Sequence, residues 1–378
     1  MRDLGIIADG AVLIANGVIQ EVGSSRRVER VAAARHATEI NAAGKVVMPG
    51  FVDCDTHTVG GLMRAFEFGP RMPDYQSLSA LIEATSRYTI QNHALQALEA
   101  SLRHGVTTLE LKSGLGRSEL AEMKILRIQN ALRMRTAAAL STFMVTHWQP
   151  EIPADEFIDW ICTDVLPLIR KRRLAEFADI CCEPGGFTTA QSRRYLNTAR
   201  QLGFVPKIQA VSDAVDVALE VGAASISQLN FADERDATLL ANGDVVAVLL
   251  PFPVFYAMSN SYAPARMLLD RGAVVALATG YDRQTASSQN MQTVIGLACR
   301  EMRMTPAEAI SAATINGAHA VRRSAQIGTI EAGKQADILI LTVSDYREIP
   351  YHFGVNIVET TMKNGKIIWQ RSNVQWPA

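Results

Sequence analysis

No run of this sequence approaches the roughly 18 consecutive apolar residues that a membrane-crossing helix requires. Nor does it carry an excess of basic charge. Lysine and arginine total 37 against 38 aspartates and glutamates, a formal net charge of -1. That balance gives no electrostatic case for nucleic acid, which calls for a basic stripe. Cysteine is sparse: the five residues Cys54, Cys162, Cys181, Cys182 and Cys299 are odd in number and show no CxxC spacing. Reduced thiols in a cytosolic protein are the simplest reading. Met1 to Gly10 carry acids and lack the basic-then-apolar pattern of a secretory leader. No GxGxxG follows the first strand of the central region, which weakens an open dinucleotide-binding sheet. These absences point to a soluble, cytoplasmic, globular protein with no nucleic-acid or membrane partner.

What the chain does contain is material for a large core, with 378 residues of which 48% are hydrophobic and 20% charged. That suits one large barrel with a small appendage. Near the start, Ala11–Ile14 and Val18–Val22 flank Asn16-Gly17, the signature of a hairpin with a two-residue turn. The device recurs at the other end, where Asn364-Gly365 separates Ile357–Met362 from Lys366–Trp369. Ala336–Leu341 adds another short strand. Residues 1–48 and 326–378 are therefore expected to form one composite β-rich domain around a barrel spanning 49–325.

Between the ends, β-branched runs alternate with amphipathic helical stretches. The strand candidates are Val46–Asp53, Thr107–Leu111, Ala139–Val145, Ala178–Cys182, Val205–Gln209, Ser225–Leu229, Val245–Leu250 and Val274–Ala278. Alternation of this kind argues for parallel βαβ units. Eight of them match a (β/α)8 TIM barrel, in which chemistry sits at the carboxyl ends of the strands. Those ends carry Asp55 with His57, Lys112, His147, Glu183, Gln209, Gln228, Pro251 and Gly280.

Several segments also resemble a known family. Met48–His57 (MPGFVDCDTH) is similar to the PGFVDxHTH entry of the amidohydrolase superfamily. Gly105–Gly114, Cys182–Gly185, Tyr262–Arg266 and the stretch from Asp345-Tyr346-Arg347-Glu348 to Phe353-Gly354-Val355-Asn356 are similar to imidazolonepropionase segments, the last two being particular to that family. The resemblance runs from about Ile14 to Trp369. It implies a barrel that opens an imidazolone ring with a metal-bound water, giving N-formiminoglutamate. The metal, iron or zinc, would be held by both histidines of H-x-H, a histidine after strand five and an aspartate after strand eight. Such a metal acidifies its water and polarises the scissile carbonyl.

Here the pattern breaks. Asp55 replaces the first histidine, and only His57 remains of the pair. Gln209 stands at the strand-five histidine, Gln228 at the strand-six histidine, Gly280 at the strand-eight aspartate, and Ser212 at a glutamate. One imidazole, one carboxylate and neutral amides make a poor transition-metal site, so no metal or other cofactor is expected. The substrate end of the resemblance is better kept. Arg64 falls on the arginine that clamps the propionate, a task suited to a guanidinium fork. His147 matches the histidine that contacts the ring, whereas Leu115 replaces a tyrosine. Tyr281 and Asp282 complete the substrate-side candidates. Asp282 would repel a carboxylate unless Arg283 or a proton compensates.

Each candidate has a functional and a structural reading. Asp55 and His57, two apart on a strand, would share a face. The carboxylate could then orient an imidazole acting as general base, or both could be relics filling the former metal cavity. Gln209 and Gln228 could hold a carbonyl or an oxyanion, or merely satisfy buried groups. The cysteines could supply a nucleophile, or pack as small apolar residues. Lys112 is expected to pack or to pair with Glu110 or Glu183. His36, His93, His104, His319 and His352 read as structural or surface residues. Two functions remain: a metal-independent hydrolase of a small five-membered cyclic amide bearing a carboxylate chain, or a pseudoenzyme that binds a metabolite or an active homologue. In either case the resemblance implies a homodimer.

Overall fold

The computed structural model describes residues 3–59, 75–116, 118–136, 138–146, 152–183, 186–211, 213–282 and 286–372. Strands β1 (Gly10–Ala15) and β2 (Val18–Ser24) form the expected hairpin. Asn16 and Gly17 take φ of 54° and 81°, as a turn with positive φ at both central residues requires. Asn364 and Gly365 repeat this at 48° and 71°.

A four-stranded antiparallel sheet draws on both ends of the chain. It runs in the order β15 (Lys366–Gln370), β14 (Val358–Lys363), β13 (Ile338–Leu341), β3 (Val47–Pro49). Asn356 fastens it to the helical layer. Its amide accepts from Gln292 at 2.9 Å and donates to the Arg103 carbonyl at 2.9 Å. The Asn at the end of the Phe353–Asn356 motif is thus a structural joint.

The barrel comprises β4 (Phe51–Thr56), β5 (Val106–Lys112), β6 (Ala139–Val145), β7 (Phe177–Ile180), the short pair β8 (Val205–Pro206) and β9 (Ile208–Ala210), β10 (Ser225–Gln228), β11 (Val246–Leu249) and β12 (Val275–Leu277). All neighbouring pairs within it are parallel. Its five-stranded part, β4–β8, meets its four-stranded part, β9–β12, where the Lys207 N–H donates to the Ala178 carbonyl at 2.8 Å and Cys181 bridges to Gln209. They meet again where Thr56 bridges in parallel to Tyr281. This is the mixed α/β barrel with a small β appendage expected from the strand–helix alternation. Gly50 turns the chain into β4 because a side chain there would strike Thr107.

Apolar residues alternate along the strands between two clusters. Val52, Cys54, Val246, Val248, Ala276 and Ala278 belong to one, and Phe51, Leu109, Leu111, Ala247 and Leu249 to the other, which packs on the helices. On β4, β5 and β7, and just before β9, the inward positions are charged rather than apolar. They hold Asp55, Glu110, Lys112, Asp179 and Lys207, each at most 1% exposed.

Candidate functional site at the barrel mouth

The centre of the site is an ion-paired ladder across β4, β5 and β7. The Lys112 ammonium lies 2.6 Å from Asp55 Oδ2 and 2.7 Å from Asp179 Oδ2, with all three side chains at most 2% exposed. Below it Lys207 pairs closely with Glu110, which also accepts from Thr142 Oγ1 at 2.6 Å. The sequence reading paired Lys112 with Glu110 or Glu183. Its contacts are instead Asp55 and Asp179, because β5 aims Lys112 past β6 to the end of β7. Burial works to raise the Asp55 pKa, but Lys112 and then His57 outweigh it and hold the carboxyl below its usual range. Burial opposes charging of Lys112 as well, yet Asp179, Asp55 and Glu110 raise it well above an ordinary lysine. Both partners are therefore charged at neutral pH, as buried ions must be when paired.

Asp55 and His57 do not share one regular strand face. The β4–β5 register shifts between Asp53 and Thr56, and His57 leaves the strand with its N–H donating to the Tyr281 carbonyl at 2.7 Å. No hydrogen bond joins Asp55 to His57 among the described residues; Asp55 is spent on Lys112. The half-buried His57 presents a buried Nδ1 with no partner among the described residues. Across this seam Asp53 grips Thr279, accepting from its N–H at 3.0 Å and its hydroxyl at 2.6 Å. Burial pushes the Asp53 carboxyl up to about 7, with the Thr279 bonds acting against it. Tyr281 and Asp282 follow directly. Asp282 exchanges two backbone bonds with Ala286 and is 8% exposed.

Gln209 and Gln228 lie on the adjoining strands β9 and β10, both half-buried. Gln228 has φ of 79° and is followed by Leu229 at 57°. Two successive non-glycine residues in this region are strained, and such strain gathers at functional sites. Gln228 Oε1 is buried without a hydrogen-bond partner among the described residues, as is Ser227 Oγ. Cys54 and Cys181 are poor nucleophiles here, since burial drives both thiols far above their ordinary pKa. Arg64, His147, Arg283 and Ser212 lie outside the described residues.

The residues at the family's ligand positions do not fit a catalytic divalent metal. Asp55 is engaged by an ammonium, Gln209 and Gln228 offer neutral amides, and Gly280 offers no side chain. A Cβ at Gly280, whose φ is 57°, would sit 2.9 Å from Pro253 Cγ. The space an aspartate would need is therefore filled. Among the described residues no three His, Cys, Asp or Glu side chains are grouped to hold a metal ion.

Barrel and site pattern together define an amidohydrolase-type protein, and residues 181–368 match the amidohydrolase family model. Among solved structures, a 5-methylcytosine deaminase from Klebsiella pneumoniae superposes with a TM-score of 0.77 at 14% identity, covering 97% of this chain and 96% of that one. A zinc-bound adenosine deaminase from Xanthomonas campestris gives 0.73 at 19% identity, over 96% and 88%. At such identities these likenesses establish the fold alone. Closer in sequence are the imidazolonepropionases of Alkaliphilus oremlandii, 38% identical over 99% of this chain and 93% of the relative, and of Geobacillus kaustophilus, 38% identical over 97% and 92%. The chain belongs to the imidazolonepropionase family, a family of hydrolases.

Sequence reasoning did not identify Asp53, Glu110, Asp179 or Lys207 as part of the site. Their signal was available: polar or charged residues recur at every second position of otherwise apolar runs, as in Asp53 and Asp55, Glu110 and Lys112, or Lys207 and Gln209. With a two-residue period, that spacing turns them all to one face.

Proposed function

We propose that this protein hydrolyses a small five-membered cyclic amide of the imidazolone, hydantoin or thiohydantoin type, bearing a carboxylate chain, without a catalytic metal. The observation that carries the reading is the pair of unsatisfied atoms at the mouth, His57 Nδ1 and Gln228 Oε1. Buried polar atoms cost roughly 1–3 kcal/mol when left unpaired, and a strained backbone at Gln228 adds to that cost. A ring N–H donating to Gln228 Oε1 and an attacking water donating to His57 Nδ1 supply the partners that would recover it. In this scheme His57 takes a proton from water as the water attacks the ring carbonyl. The amides of Gln228 and Gln209 hold the ring and its developing oxyanion, and the C–N bond opens as His57 returns the proton to nitrogen. Asp55 acts through charge, since its contact is with Lys112. Arg64 holds the carboxylate chain and His147 the ring, with Tyr281 and Asp282 bordering it. The protein works as a cytoplasmic homodimer.

One observation favours a second reading. Because Asp55 is committed to Lys112, no carboxylate among the described residues hydrogen-bonds His57, and a base so unsupported suits a pseudoenzyme that binds a metabolite or an active homologue. Turnover of imidazolone- and hydantoin-5-propionate in the presence of chelator separates the two. Steady product formation, lost in His57→Ala with the fold intact, supports the hydrolase. Binding without consumption supports the pseudoenzyme. Absence of both binding and turnover overturns the ring-carboxylate assignment itself.

A further inference from the structure

The loop Ser113–Gly116 leaves β5 directly after Lys112 and lies at the same end of the barrel as His57. It is held from beneath by one carboxylate. Glu122, in the first turn of the helix Glu119–Arg135, accepts from the Gly114 N–H at 3.1 Å through each of its oxygens and from the Gly116 N–H at 2.6 Å. Ser113 bonds to it as well. The packing is close: a Cβ on Gly116 would come within 2.7 Å of the Glu122 nitrogen, and one on Gly114 within 2.8 Å of Thr146 Cγ2. The loop is also tied to the next strand, with the Met144 N–H donating to Ser113 Oγ at 3.0 Å and Thr146 Oγ1 donating to the Gly114 carbonyl. Leu115, at the position where the family carries a tyrosine, is held 4% exposed.

Among the described residues, no cation near Glu122 balances it. Beside it lies a cavity of about 30 Å³ whose lining includes Met123, Leu126, Phe143, Phe157, Trp160 and Ile161. The titratable neighbours are Glu119 on the same helix and the Tyr195 phenol on the helix Thr189–Gln201, whose pKa Glu122 helps to raise. No lysine, arginine or histidine among the described residues acts on the carboxylate.

We infer that Glu122 is the positioning residue of the Ser113–Gly116 loop, and that its protonation state sets how firmly this loop closes on the barrel mouth. Burial pushes the Glu122 carboxyl up to about 7, against the opposing pull of its Gly116, Ser113 and Gly114 bonds. The sign follows from linkage. A carboxyl whose pKa is higher in the closed loop than in the opened, hydrated one favours the closed state when protonated. Closure is therefore firmest at low pH and weakens as pH rises towards 7. Above 7 the group is ionised in both states and the effect levels off. The step from loop to ligand rests on the mouth being the binding site; the behaviour of the loop does not.

The test is amide hydrogen exchange at Gly114 and Gly116 in the full-length protein, corrected for intrinsic rates, from pH 5 to 8. The opening equilibrium is expected to rise by up to about tenfold per pH unit below 7 and then flatten. In Glu122→Gln the dependence on pH should vanish, while Glu122→Asp should keep it with weaker protection. An opening equilibrium independent of pH in the native protein overturns the inference, as does a Glu122→Gln variant that retains the full pH dependence. If Glu122→Gln does not fold, the native series and Glu122→Asp decide alone. The affinity for hydantoin-5-propionate, measured by calorimetry over the same range, should weaken with rising pH in the native protein and not in Glu122→Gln. If this probe fails to bind at any pH while the exchange profile holds, the proposed function fails and the loop inference stands.

Discussion

Replacing Lys112 by methionine removes the cation that Asp55 and Asp179 share and leaves most of the side-chain volume in place. The two carboxylates are at most 2% exposed and lie 2.6 and 2.7 Å from the ammonium, so neither is reached by water that could replace it. Breaking a buried pair by removing one partner costs about 3–5 kcal/mol, because a charge is left uncompensated. Against a typical total of about 5–15 kcal/mol for a folded protein, that is a large share. Here two charges are left, which places the expectation at the upper end. Denaturant unfolding at pH 7, followed by circular dichroism, should show a much lower midpoint, or no folded protein at all. Lys112→Met/Asp55→Asn should recover part of the loss, because neutralising both sides of a buried pair is far less costly than stripping one. Arg193→Met, which breaks the exposed pair with Glu220, should leave the midpoint where it was. A Lys112→Met loss below about 1 kcal/mol, comparable to a surface pair, would refute the claim that this ammonium organises the mouth.

Two further outcomes follow from the same geometry. Burial holds the Asp53 pKa at about 7, above its unfolded value, so its contribution is present in acid and is lost as pH rises to 7. Asp53→Asn should therefore flatten part of the decline in stability between pH 5 and 7.5, read from denaturant midpoints; an unchanged slope would contradict the assignment. Gln228→Gly should raise the melting temperature, by an amount equivalent to about 1 kcal/mol, because glycine accepts the φ of 79° without strain. It should at the same time weaken binding of hydantoin-5-propionate, and a destabilised variant with unchanged binding would show that Gln228 is neither strained nor used.

The fold was legible because its signals are local and periodic. Asn-Gly demanded positive φ at 16–17 and 364–365, and β-branched runs separated by helical patterns marked the barrel strands, although the first run, Val46–Asp53, merged β3 of the small sheet with β4 of the barrel. The ligand substitutions at Asp55, Gln209, Gln228 and Gly280 could also be read from the motifs. What could not be read was which charges meet. Lys112 has carboxylates near it in sequence at Glu110, yet its partners are 57 residues before it and 67 after it, set by barrel closure rather than by spacing. The register shift within β4 likewise turned the expected Asp55–His57 dyad into an Asp55–Lys112 pair. Nor could the sequence reveal that Pro253 fills the space beside Gly280, a contact made only when the helix Pro251–Tyr256 folds over the end of β12. Restoring an aspartate at 280 alone would therefore not rebuild a metal ligand.

The central claim is that the metal chemistry of the family has been exchanged for a site organised around Lys112. Elemental analysis of the native protein, purified without chelator, tests it most directly. Far less than one iron or zinc per chain is the expected result. A stoichiometric transition metal would contradict the account and return the family's hydrolytic mechanism to this barrel.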